Sequence, residues 1–143
     1  MKTRKLTLII PVLLLAFGLV IGVQNTVSAA DAQLIQVTSS GEGNMAKLTI
    51  DPTDAHVKKD TIVIWLSGVL SEDIKIEFAD GKKCKSVTAH AAGFDLDMER
   101  WCYVTSYVPF AGSSSLQFTE SGTYEYTVYT KEGATVAGKI IVE

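Results

Sequence analysis

The chain has 143 residues, 13 of them basic and 16 acidic, with a formal net charge of −3. This length suits one domain with a sizeable core. The acidic balance argues against nucleic acid and anionic membranes as partners, because both bind clustered Lys and Arg. The sequence has no Gly-x-Ser-x-Gly, no phosphate loop and no His-Glu-x-x-His, so we expect a protein that is not an enzyme.

Residues 1–30 have the organisation of an export signal. Three basic residues within the first five precede an uncharged, mostly apolar run over Leu6–Val23, and small residues follow up to Ala30. This order predicts a signal peptide that is cleaved. The alternative is an uncleaved anchor, because the run is just long enough to span a bilayer core of ~30 Å. Pro11 and Gly18 interrupt the run and favour cleavage.

The predicted mature chain is one domain over residues 31–143. Removing residues 1–30 takes away three basic and no acidic side chains, which leaves 10 basic and 16 acidic residues and a net charge near −6. We therefore expect an exported protein, periplasmic or extracellular, that has no membrane contact after cleavage and does not bind nucleic acid.

Eight short segments of the domain have the character of β-strands. Thr61–Trp65 is a continuous apolar, β-branched run typical of a buried strand, and apolar and charged side chains alternate in Asp73–Phe78. The other six segments are Leu34–Thr38, Ala46–Ile50, Cys102–Val108, Ser115–Phe118, Thr123–Val128 and Gly138–Glu143. Turns rich in Gly, Ser and Asp-Pro separate them, which predicts an antiparallel β-sandwich of seven or eight strands with Trp65 buried.

One segment of the domain departs from the strand pattern. Its apolar residues fall at positions i, i+4, i+7 and i+8, on one face of a helix. These residues are Phe94, Met98, Trp101 and Cys102. With Asp95 as the N-cap, the pattern predicts a short helix with Met98 in the core. The helix would lie in a long insertion, Gly81–Gly112.

Two parts of the chain resemble the cupredoxins, the plastocyanin-like family of blue copper proteins. They are "HVKKDTIVIWLS", beginning at His56, and "AGSSSLQFTESGTYEYTVYTKEGATVAGKIIVE", from Ala111 to Glu143. The resemblance covers about residues 49–78 and 111–143 but not the region between them. It implies an all-β, antiparallel Greek-key sandwich in which Tyr124 is the corner tyrosine.

The resemblance also locates the family's copper ligands on this chain. Family members carry Cys, His and Met in the final loop, spaced C-x2-H-x4-M, and these side chains suit a trigonal copper site with a weak axial ligand. The corresponding positions here are Val128, Lys131 and Val136, and the remaining His position falls near Glu72 or Asp73. None of these side chains rebuilds the site, so we expect no cofactor, with the two valines filling the copper position.

A displaced metal site is the alternative to a metal-free domain. Cys84, His90, Met98 and Cys102 all lie in the insertion and could ligate copper, although their spacing matches no metal motif. Two cysteines in an exported chain favour a disulfide instead, which contributes about 3 kcal/mol for a loop of this length. The sequence thus predicts a Cys84–Cys102 disulfide and no bound metal.

Two functions remain open at the level of the sequence. The first is a non-enzymatic domain for binding or assembly, with the insertion as its contact surface for a protein partner. The second is a copper-binding or electron-transfer protein that uses the displaced site. The first is favoured by aromatic residues of the kind common at interfaces, which could otherwise cap the open end of the sandwich. These residues are Trp101, Tyr103, Tyr107 and Phe110.

Overall fold

The computed structural model describes residues 31–41, 47–79, 88–99 and 102–143. Within these ranges the chain forms eleven strands. In chain order they are β1 (Ala32–Ser40), β2 (Lys47–Asp51), β3 (Asp54–Val57), β4 (Ile62–Gly68), β5 (Ile74–Phe78), β6 (Thr88–Ala92), β7 (Phe94–Asp97), β8 (Cys102–Thr105), β9 (Ser113–Phe118), β10 (Gly122–Thr130) and β11 (Thr135–Val142).

The strands form two sheets that pack face to face. One has the order β2-β1-β4-β9-β6 and the other the order β3-β11-β10-β5-β8-β7. Neighbouring strands are antiparallel except for two parallel pairs, β1 with β4 and β3 with β11. All eight predicted segments contain a strand, and β3, β6 and β7 are additional short strands that bring the number above the seven or eight predicted. The predicted all-β sandwich is confirmed.

The predicted short helix is wrong where the structure describes it. Phe94–Asp97 is strand β7, which pairs antiparallel with β8 so that Phe94 lies opposite Thr105 and Asp97 opposite Cys102. Met98, predicted to fill the core, is 65% exposed in the turn that follows. The backbone of Phe94–Asp97 forms hydrogen bonds with β8, which favours a strand over a helix. The spacing of apolar side chains over four residues is too short a pattern to distinguish the two.

The core between the sheets is built around Trp65, which is fully buried as predicted. Its ring makes edge-on contacts with Phe78, Phe94 and Tyr126 at centroid distances of 5.8, 5.4 and 5.4 Å. Edge-to-face aromatic pairs contribute about 0.5–1.5 kcal/mol each beyond their burial. This cluster therefore joins the two sheets, since Trp65 lies on β4 and its three partners lie on strands of the other sheet.

Tyr124 has the contact expected of a corner tyrosine. Its side chain is buried, and its hydroxyl donates a hydrogen bond of 3.0 Å to the carbonyl oxygen of Glu120, four residues upstream. This bond ties the start of β10 to the preceding turn.

Among the described residues, no helix has the length and apolarity needed to cross a bilayer. The predicted signal peptide, residues 1–30, lies outside the described ranges.

Candidate functional site

Three connections meet at one end of the sandwich, which we call the hairpin end. They are residues 69–73 between β4 and β5, residues 106–112 between β8 and β9, and residues 131–134 between β10 and β11. They meet because β5 pairs antiparallel with both β8 and β10, so its first residues adjoin the last residues of those two strands. The positions that the resemblance assigns to copper ligands lie at this end.

The β10–β11 connection is a tight hairpin turn. The Thr130 amide donates to the Ala134 carbonyl at 2.9 Å, and the Gly133 amide donates to the Thr130 carbonyl at 3.2 Å. Gly133 has a φ of 94°, in the left-handed region that glycine adopts without the cost of a Cβ. These two backbone hydrogen bonds close the turn between the paired strands.

Val128 and Val136 lie directly opposite each other at the base of this hairpin. Val128 is fully buried, and Val136 is partly buried and packs against the core. On the other side of Val128 in the sheet is Ile76, which is also fully buried. The interior at this end is therefore aliphatic at the two positions where the family places cysteine and methionine.

Lys131 makes two contacts that join the connections together. Its Nζ lies 2.7 Å from Oδ2 of Asp73 and 4.9 Å from the centre of the Tyr107 ring. The hydrogen bond to Asp73, reinforced by the charge of that carboxylate, raises the pKa of Lys131 above its usual value. The resemblance assigns one ligand position to Lys131 and another to the vicinity of Glu72 or Asp73, and in the structure Lys131 and Asp73 form an ion pair.

A second contact joins the hairpin to the β4–β5 connection. The backbone amide of Glu132 donates to Oε2 of Glu72 at 3.1 Å. Two successive acidic residues of the β4–β5 connection, Glu72 and Asp73, therefore bind the hairpin and fix its position relative to that connection.

The β8–β9 connection is held against the end of β4 and the start of β5. The Ser67 amide donates to the Gly112 carbonyl at 2.9 Å, and the Ala111 amide donates to the Ser67 carbonyl at 2.8 Å. Val108 and Ile74 exchange a pair of backbone hydrogen bonds of 2.7 and 3.0 Å. These bonds make residues 106–112 an ordered part of the sandwich end.

Three large apolar side chains project from these tied connections into solvent. Leu70 is 79% exposed, Tyr107 is 47% exposed and Phe110 is 54% exposed. We call these three residues the apolar patch. Sequence analysis does not predict Leu70 as part of this surface. A single leucine between Val69 and Ser71 gives no signal that distinguishes an exposed loop position from a buried strand end.

The four aromatic residues predicted as an interaction surface do not all lie at one place in the structure. Tyr107 and Phe110 belong to the apolar patch. Tyr103 is partly buried and packs against the core. Trp101 lies outside the described residues.

The members of the displaced metal site that the structure describes lie on different elements. His90 is on β6 in one sheet, Cys102 is buried on β8 in the other, and Met98 is in the turn after β7. In the described part of the chain, no group of three or more His, Cys, Asp or Glu residues is placed to hold a metal ion. Cys84 lies outside the described residues, so its disulfide with Cys102 stays a prediction.

The two sheets, their strand order and the corner tyrosine give the chain a cupredoxin-like fold. Three solved structures of amicyanin variants match it with TM-scores of 0.50–0.51. A methionine-to-alanine variant in the Cu(I) form is 21% identical, and the match covers 80% of this chain and 85% of that one. A reduced tryptophan-to-tyrosine variant is 20% identical with the same coverage, and a reduced Cu(I) proline-to-glycine variant is 19% identical, with 81% and 87% covered.

No protein-family profile matches the chain, and no curated protein matches it in sequence. At identities near 20%, the likeness to amicyanin establishes the fold alone.

Proposed function

We propose that this chain is an exported, non-enzymatic binding domain whose contact surface for a protein partner is the apolar patch at the hairpin end. The observation that carries the proposal is the exposure of Leu70, Tyr107 and Phe110 on connections that hydrogen bonds hold side by side. Exposed apolar side chains grouped at one place commonly mark sites of protein contact.

The energetics of the patch suit binding. Fully burying a large apolar side chain gains about 1.5–3 kcal/mol, so three such side chains offer several kcal/mol to an association. The β8–β9 connection is already ordered, which lowers the entropy lost when a partner binds. Ala111, next to Phe110, has a φ of 60°, a left-handed conformation that costs a non-glycine residue about 1–2 kcal/mol. The protein adopts this strained conformation next to a residue whose side chain is exposed to solvent.

The contacts around Lys131 favour a metal-free hairpin end. A protonated ammonium repels a metal cation, and the ion pair with Asp73 holds that ammonium at one of the positions expected for a ligand. Below it, Val128 and Val136 supply no donor atom. The role that fits these contacts is recognition of a partner without electron transfer through this end.

Site-specific photo-crosslinking in the native host tests the proposal. Benzoylphenylalanine replaces Phe110 in one variant and Glu125 in a matched control, since Glu125 is exposed on β10 but lies about 17 Å along the strand from its end at Thr130. We expect a discrete adduct at position 110, identified by mass spectrometry and weakened by Leu70→Ser. Equal adducts at positions 110 and 125, or none at position 110, would contradict the proposal.

A further inference from the structure

We infer that the partner of the apolar patch is a protein surface with basic side chains around its own apolar centre, bound transiently. This inference rests on the proposed function and adds the charge of the partner. The supporting observations are the charged side chains around the patch and the ion pair between two of them, Lys131 and Asp73.

Four charged residues of the facing connections border the patch. Glu72 and Asp73 lie on the β4–β5 connection, beside Leu70, and Lys131 and Glu132 lie on the hairpin, where Lys131 covers the ring of Tyr107. The ion pair at 2.7 Å neutralises Lys131 with Asp73. Counted over the described residues, the border therefore keeps two net negative charges, from Glu72 and Glu132.

Among the described residues, a hollow beside Tyr107 adds no net charge to this border. Lys75 and Asp95 line a hollow that also contains Tyr107, and their charges cancel. An acidic border attracts a basic partner and repels an acidic one, and such border charges set association rate and salt dependence more than final affinity.

A second copy of this chain is a poor occupant of the patch. Two copies meeting patch to patch would bring the same carboxylates, Glu72 and Glu132, towards each other. The patch also has three large apolar side chains, whereas a stable interface buries about 800 Å² and 20–30 residues on each partner. A small contact with complementary charge suits a weak encounter with a different, basic protein.

Nuclear magnetic resonance titration of the ¹⁵N-labelled protein, purified from an exporting host, tests the inference. The probes are two end-blocked peptides of equal length and apolar content, Lys-Leu-Trp-Leu-Lys and Glu-Leu-Trp-Leu-Glu. We expect the basic peptide to shift the amide signals of Leu70, Tyr107 and Phe110, and its binding to weaken as NaCl rises from about 20 to 300 mM because salt screens exposed charges. The acidic peptide should shift none of these signals.

Matched neutralisations locate the charge effect. Glu132→Gln should weaken binding of the basic peptide about two- to fivefold at low salt, the range expected for one exposed ion pair. Glu125→Gln changes the net charge equally at a distant site and should leave the affinity unchanged. If both variants weaken binding equally, net charge and not the border accounts for the effect, and the inference is wrong.

The remaining outcomes separate this inference from the proposed function. Equal binding of both peptides at the patch would contradict the inference that the partner is basic, but it would still support the patch as a contact surface. Failure of both peptides to shift the signals of Leu70, Tyr107 and Phe110 overturns the inference, and crosslinking at position 110 then decides the proposed function independently.

Discussion

Gly112 holds the connection that displays Phe110, and replacing it with alanine tests how rigid that display is. The new Cβ would lie 2.9 Å from the carbonyl oxygen of Pro109 and 2.9 Å from Cγ1 of Val108, closer than real Cβ atoms approach other atoms. One of these neighbours is backbone, so the connection must move. The shift affects the hydrogen bond from Gly112 to Pro109 and the one from Ser67 to Gly112, both 2.9 Å long.

The expected cost follows from these contacts. Overpacking costs about 1–3 kcal/mol, and weakening two backbone hydrogen bonds costs about 0.5–1.5 kcal/mol each. The lower conformational entropy of alanine in the unfolded chain returns about 0.4–1 kcal/mol. We expect Gly112→Ala to lower the free energy of unfolding by about 3 kcal/mol, measured by urea denaturation, and to shift the amide signals of Ser67 and Phe110.

Gly133→Ala is the matched control. A Cβ at Gly133 meets no atom within 4 Å, but the φ of 94° is strained for alanine. Its cost should be about 1 kcal/mol from backbone conformation alone, with signals changed in the hairpin and not at Ser67. A Gly112→Ala variant that loses less than about 0.5 kcal/mol, or that leaves the Ser67 and Phe110 signals in place, would refute the steric argument.

Three further predictions concern the core and the cysteines. Tyr124→Phe removes the hydrogen bond to Glu120 and should lower the free energy of unfolding by about 1 kcal/mol in urea denaturation; no loss would contradict a stabilising corner. Burial raises the pKa of Tyr126 from 10.0 to about 12, so the folded state keeps this proton longer; stability should fall by up to about 3 kcal/mol as pH rises from 10 to 12. Tyr126→Phe should flatten that decline, and an unchanged slope would contradict it. Thiol titration of unreduced, denatured protein should find no free thiol from Cys84 or Cys102, and two free thiols would contradict the disulfide.

The fold was predictable where burial imposes a strong pattern on the sequence. Thr61–Trp65 and Asp73–Phe78 are buried on one or both faces, and this burial produces the apolar runs and alternation that predicted β4 and β5. Strand β6, with the sequence TAHAA, is a short edge strand whose residues are mostly exposed, so no apolar pattern marks it. Its pairing with β9 is a tertiary contact that local sequence does not encode.

The same contrast explains what was found and missed at the hairpin end. The resemblance places one ligand position at Lys131 and another near Glu72 or Asp73, and in the structure Lys131 pairs with Asp73. The contact of Lys131 with Tyr107 was not predictable, because it depends on the path of the β8–β9 connection. That path is set by backbone hydrogen bonds to Ser67 and Ile74, which leave no trace in side-chain composition.

The final prediction is that adding Cu(II) to the purified protein produces no strong thiolate-to-copper band in the visible spectrum. Val128 is fully buried opposite Val136, so the position of the family's cysteine sulfur is filled by an aliphatic group. The hydrogen bond to Asp73 holds the pKa of Lys131 above its usual value, so its ammonium stays protonated at neutral pH and repels the metal. A strong band would show a displaced site, since Cys84 and Cys102 are the two cysteines of the chain. Loss of that band in either Cys84→Ser or Cys102→Ser would identify the copper-binding thiolate and contradict the prediction that this domain binds no metal.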